Sequence, residues 1–126
     1  MLANSKAFSS FSVDNLPAAR SFYTEVLGLE VAEVPEMEGL LRIRAGEQDV
    51  LVYGKDDHTP ASFTVLNFPV HNIDEVADSL RQRGVRFERY DAFGDPDAKG
   101  IYRGIGPAIA WFTDPAGNTL AVMQQD

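Results

Sequence analysis

Two stretches of this chain, 57 residues apart, begin alike. Val13-Asp14-Asn15-Leu16 reappears as Val70-His71-Asn72-Ile73. Each opens an amphipathic run that stops at a glycine, Gly28 in one case and Gly84 in the other, with the two glycines 56 residues apart. A recurrence in the same order, flanked by the same kinds of element, is the mark of a duplicated unit, and it constrains the fold more than any other feature.

The local signals around the repeat agree with that reading. Asn15 is a side-chain cap, Pro17 suits a first helical turn, and Phe22/Val26 and Tyr23/Leu27 pair at i, i+4; the spacing predicts a helix over 15–28. Asn72, with the stripe Ile73, Val76 and Leu80, predicts a second helix ending at Gly84. Strands are expected at 7–13, 29–34, 40–45 and 49–54 in the first half. In the second half they are expected at 63–70, 85–90, 108–113 and 119–124. The order is βαβββ twice, with modules at 7–54 and 63–124 in a single domain of 1–126. Residues 112–118, FTDPAGN, form the last turn: Pro115 fixes φ, Asp114 can accept backbone hydrogen bonds, and Gly117 and Asn118 tolerate positive φ.

Composition removes several functions. Without cysteine there is no disulfide, thiolate catalysis or thiolate metal site. A formal charge of −8 opposes phosphate backbones and anionic membranes, so neither nucleic acid nor membrane is an expected partner. MLANSKAFSS has no long apolar core of the kind a signal peptide carries, and a cytoplasmic protein is expected. No Gly-x-Ser-x-Gly elbow or helical Ser-x-x-Lys nominates a nucleophile, so no catalytic residue is assigned.

VDNLPAARSFYTEVLGLEV resembles the first-helix signature of the vicinal oxygen chelate superfamily, which includes glyoxalase I, extradiol dioxygenases, and fosfomycin- and bleomycin-resistance proteins. AWFTDPAGNTLAVMQ is similar to that family's closing signature, and the likeness extends over residues 7 to 124. It implies an α+β fold in which two βαβββ modules curl an eight-stranded mixed sheet into a cup, with helices outside. It also implies up to four His, Glu or Gln metal ligands inside the cup. Carried over by motif, those positions are Phe8, Val50 or Val52, Val65 and Ala121. None can donate a lone pair to a cation.

The resemblance therefore points to a metal-free cup, with no cofactor, that holds a small aromatic or amphipathic organic molecule, in a protein that forms a homodimer as is common in the family. The alternatives within the family are a metal-dependent lyase, isomerase or dioxygenase, and a cofactor-free lyase or isomerase. Strand alternation nominates the lining. Phe8 and Ser10 share one face of the first strand, Phe63 and Asn67 one face of the fifth. Arg42 and Arg44 either form a solvated face or clamp an anionic or carbonyl group. Trp111 or Phe112 reaches the cavity, to stack on a ligand or to fill the core. Tyr102 and Arg103 lie in the Gly/Pro-rich segment 94–107, which reads as a lid, a dimer contact or a disordered loop.

Overall fold

A computed structural model describes residues 1–126 as two compact units, Met1–Thr59 and Pro60–Asp126. The boundary falls inside the polar connector between the two repeats.

In the first unit, strand β1 (Ser9–Val13) leads into helix α1 (Leu16–Ser21). The Asn15 side chain accepts a hydrogen bond from the Ala18 N–H at 3.0 Å, satisfying one of the donors a helix start leaves open. The helix then widens into one π-helical turn, Phe22–Val26, where Leu27 N–H reaches back five residues to the Phe22 carbonyl, and Gly28 ends it at φ +72°. Strands β2 (Glu30–Glu33), β3 (Leu40–Ala45) and β4 (Gln48–Gly54) complete an open sheet in the order β1-β4-β3-β2, with β1 parallel to β4 and the rest antiparallel. Phe11, Val13, Leu41, Ile43, Val50 and Val52 are buried and in register across the strands, so one face of the sheet is the core. Tyr23, on the π-helical turn, packs there against Phe11 with 6.1 Å between ring centroids.

The second unit has β5 (Thr64–Val70), α2 (Ile73–Gln82), β6 (Ile109–Thr113) and β7 (Thr119–Gln124). Its open sheet runs β5-β7-β6, again with a parallel and an antiparallel pair. Asn72 caps α2 through the Glu75 N–H at 3.1 Å. Ile73, Ala77 and Leu80 are buried on α2, and Ala110, Phe112, Leu120 and Val122 on the sheet.

Two expectations change here. Residues 85–90 form no ladder, so the units carry seven strands in sheets of four and three. The Glu88 N–H still reaches the Trp111 carbonyl at 2.7 Å, but the Tyr90 N–H is taken by the Tyr102 hydroxyl at 2.7 Å instead of a strand partner. Segment 94–107 is folded at 97–103 rather than loose. Ile101 and Tyr102 are buried, Tyr102 bridges to Ile109, and Gly100, at φ +89°, lets the backbone pass so close to Phe87 that a Cβ would sit 2.8 Å from it.

The closing turn is a buried polar knot. Asp114 Oδ1 accepts from the N–H groups of Ala116 and Asn118, both at 2.9 Å, and its Oδ2 from the Asn118 amide at 3.1 Å. Asn118 Oδ1 accepts from the Ala61 N–H at 3.3 Å. The turn thus joins β6 to β7 and also ties the incoming connector to this unit.

Candidate ligand-binding faces

Each sheet buries one face and leaves the other free of its helix. In the first unit, register places Ser10, Leu51, Arg42 and Ala32 in one row of the free face, with Ser12, Tyr53 and Leu40 in the next. Arg44 sits opposite Asp49 and grips it with two hydrogen bonds, Nε at 2.9 Å and Nη2 at 3.3 Å. That hydrogen bond raises the Arg44 pKa and lowers that of Asp49. Arg42 makes no such pair, and a dimple of about 20 Å³ lies between it, Glu30, Ala32 and Arg44. The two arginines therefore differ: Arg44 is held by its own carboxylate, and Arg42 makes no ion pair. Ser12 Oγ and His58 Nδ1 meet at 2.7 Å across 46 residues, an arrangement that can pass a proton between hydroxyl and imidazole.

Phe8 lies just before β1 and is 65% exposed. Val50 and Val52 do not face a cup: they belong to the core face, opposite Ile43 and Leu41, and the residue of β4 between them on the free face is Leu51.

In the second unit the free face carries Trp111, Ala121 and Asn67 in one row. Burial separates Trp111 from Phe112. Phe112 is fully buried and meets Phe87 edge-on at 6.0 Å, whereas Trp111 lies half-buried on the opposite face. Three further rings gather on it. Phe93 stacks at 5.2 Å with 16° between planes, Tyr90 stands edge-on at 5.4 Å, and Tyr102 at 5.5 Å. Tyr90 and Phe93 were missed in the sequence because both border a segment dense in glycine and proline; the signal was the aromatic spacing within YDAF.

A bulge between Thr64 and Leu66 breaks the alternation of β5. Thr64 and Asn67 align with Thr119 and Ala121, so Phe63 and Val65 do not share Asn67's face by simple parity; Phe63 lies 68% exposed before the strand. Arg103 is engaged by Asp74 at 2.8 Å and Asp97 at 3.0 Å, which anchors the segment to α2. Burial would push the Asp97 carboxyl up, but hydrogen bonds from the Ile101 N–H, Arg103 and the Lys99 N–H outweigh it and hold it below the usual range.

A separate groove of about 400 Å³ runs in the first unit between α1 and the loop joining β2 to β3, lined mainly by Leu16, Pro17, Val34, Pro35, Met37 and Leu40. Its one basic group, Arg20, is paired to Glu33 at 3.1 Å.

The sequence profile of the Glyoxalase/Bleomycin resistance protein/Dioxygenase superfamily matches residues 8–122. The chain belongs to that superfamily. Among solved structures it resembles the glyoxalase family protein from Enterococcus faecalis at 26% identity, covering 98% of this chain and 99% of that one with a TM-score of 0.67. TnmS3, an antibiotic binding protein from Streptomyces sp. CB03234, matches at 21% identity over 98% of both chains, TM-score 0.70. Lactoylglutathione lyase from Agrobacterium tumefaciens matches at 21% identity over 97% and 95%, TM-score 0.69. No curated protein sequence matches the chain.

The metal chemistry of the family can be tested against the donors present. The positions carried over by motif, Phe8, Val50 or Val52, Val65 and Ala121, offer no lone pair, nor does Leu51 between the two valines, and nowhere do three His, Asp or Glu side chains converge on a common point. These residues do not fit a divalent ion. No helix is long and apolar enough to cross a membrane.

Proposed function

We propose that this superfamily member is a metal-free binding protein for small aromatic or amphipathic molecules. The observation that carries the reading is the ring cluster Tyr90–Phe93–Tyr102–Trp111 on the free face of the second sheet. Aromatic walls with few polar groups suit ligands recognised by stacking and shape. The likeness to an antibiotic binding protein supports the same reading. The first unit's own free face carries Ser10 and Arg42, polar groups that could hold a small carbonyl compound by themselves.

We place the protein in the cytoplasm as a homodimer, with exposed Phe8 and Phe63 as apolar surface for a second copy. The test is a thermal-shift screen with planar aromatics and antibiotics on metal-stripped protein. A ligand that binds the native state alone at a hundredfold excess over Kd adds about 2.7 kcal/mol, and the midpoint rises with ligand concentration. Trp111→Ala removes that rise, and sedimentation reports the dimer. Dependence of the shift on added divalent metal defeats the reading.

A further inference from the structure

Phe93 is 45% exposed, yet its ring lies flat on Trp111. The 5.2 Å between centroids is within the span of a direct aromatic pair, about 4.5–7 Å, so nothing else fits between the two rings. The face of Trp111 that a guest would use is already covered, and the cover is a side chain of the protein itself.

The cover is hung differently from the walls. Tyr102 is buried, with its hydroxyl bonded to the backbone N–H of Tyr90, so the Tyr102 ring is fixed and the Tyr90 backbone is held to it. Phe93 ends a single 3₁₀ turn, Asp91–Phe93, closed by two backbone bonds, Phe93 N–H to the Tyr90 carbonyl and Gly94 N–H to the Asp91 carbonyl. Gly94, at φ +83°, follows it, a conformation only glycine adopts freely. Arg89 pairs with both Asp91 and Asp95 on the surface and braces the turn across its base. A short exposed turn with few buried contacts is the part of a structure that opens at least cost.

We propose that Phe93 is an internal stand-in for the ligand: a planar aromatic cation takes its place on Trp111 when the 91–94 turn swings out. This rests on the binding reading above and names its ligand class. Planarity follows from the ring being replaced, and from Tyr90 and Tyr102, which stay as edge-on walls. The positive charge follows from residues 88–95, where Glu88, Asp91 and Asp95 outnumber Arg89, in a chain of net charge −8. A cation over an indole face gains further from the ring quadrupole.

The consequence is unusual for an aromatic site, because deleting one ring tightens binding. Apparent affinity is the intrinsic affinity reduced by the fraction of molecules with the site open, so removing the competitor recovers that factor. The probes are 1-methylquinolinium and, as a planar anion, naphthalene-2-sulfonate, titrated calorimetrically. Trp111 is the chain's one tryptophan, and its indole N–H signal reports the site directly.

Phe93→Ala binds 1-methylquinolinium between about twofold and tenfold more tightly than the parent, the factor that the loss of one aromatic pair converts to. Phe93→Leu, which keeps apolar cover and guards against misfolding, shifts in the same direction. Trp111→Ala loses binding. If the parent binds saturably but both Phe93 variants bind no better, the stand-in is refuted and the binding site survives. Equal affinity for the sulfonate refutes the charge assignment. No saturable binding of either probe by the parent or Phe93→Ala refutes both the stand-in and the function it rests on.

Discussion

Across strand β4 the first unit sets Ser10, Leu51 and Arg42 in one row; across β7 the second sets Asn67, Ala121 and Trp111 in the corresponding row. The frames are alike, with a capped helix over one face of an open sheet and a parallel pair beside an antiparallel one. The free faces diverge. The first is small, polar and charged, with one arginine tied and the other loose. The second is aromatic, and two of its rings come from a segment that has no ladder. The difference teaches that the buried alternate residues hold the frame, while the other alternates and one irregular stretch are open to change without disturbing it.

The sharpest way to break this comparison is to mutate neighbours on opposite faces. Phe112→Ala should cost about 3–5 kcal/mol in urea unfolding, because it empties a packed core site. Trp111→Ala, one residue away, should cost only about 1–2 kcal/mol, as a half-buried ring forfeits less area, while losing aromatic binding. Equal costs would make Trp111 a core residue.

A second pair compares the turns that close each unit. Asp114→Ala should cost about 2–3 kcal/mol, since it removes the carboxylate that accepts from two N–H groups and the Asn118 amide in a buried turn. Glu47→Ala, in the exposed turn before β4, should stay within about 0.5 kcal/mol. A reversed order would mean that the Asp114 knot contributes little.

The smallest effect separates two lowered carboxylates. Asp49 is held by Arg44 at the surface, Asp97 by the Ile101 and Lys99 N–H groups as well as Arg103. Both have folded pKa values below the unfolded one, about 3.9. Each therefore adds stability above that value, lost as pH falls through the lower folded one. In an NMR titration, half-molar salt should return Asp49 toward its ordinary pKa and leave Asp97 depressed, because salt screens exposed ion pairs far more than fixed backbone donors. Equal salt sensitivity would show that Arg103 alone holds Asp97.

Much of the frame was legible before any coordinates. Asn15 and Asn72 read as caps and cap; Gly28 and Gly84 read as stops and stop; Phe11 and Val13, and Leu41 and Ile43, which alternate with the residues nominated for the lining, are buried on the other face. What was not legible depended on distant partners. VRFERY alternates like a strand, yet Tyr102, twelve residues beyond Tyr90, claims the N–H that a ladder would need. The family motif was carried to Val50 or Val52, depending on how the turn GEQD is aligned, and pairing with Ile43 and Leu41 puts both on the core side. The bulge in β5 defeats parity for Phe63 and Val65. For the site, Trp111 and Tyr102 could be named as candidates, but Tyr90 and Phe93 could not, since nothing local says that Phe93 folds back on the indole.

From Asn15 to Gly28 is thirteen steps; from Asn72 to Gly84 it is twelve. The first helix absorbs its surplus residue as the π-helical turn at Phe22–Val26, the usual fate of a single insertion into an α-helix. Both ends stay where their sheet needs them, and the slack sits in the middle, where it carries Tyr23 into the core. Excising one residue from that turn should restore an ordinary helix without shifting either cap, so one wide coil holds the whole difference in length between the two helical spans.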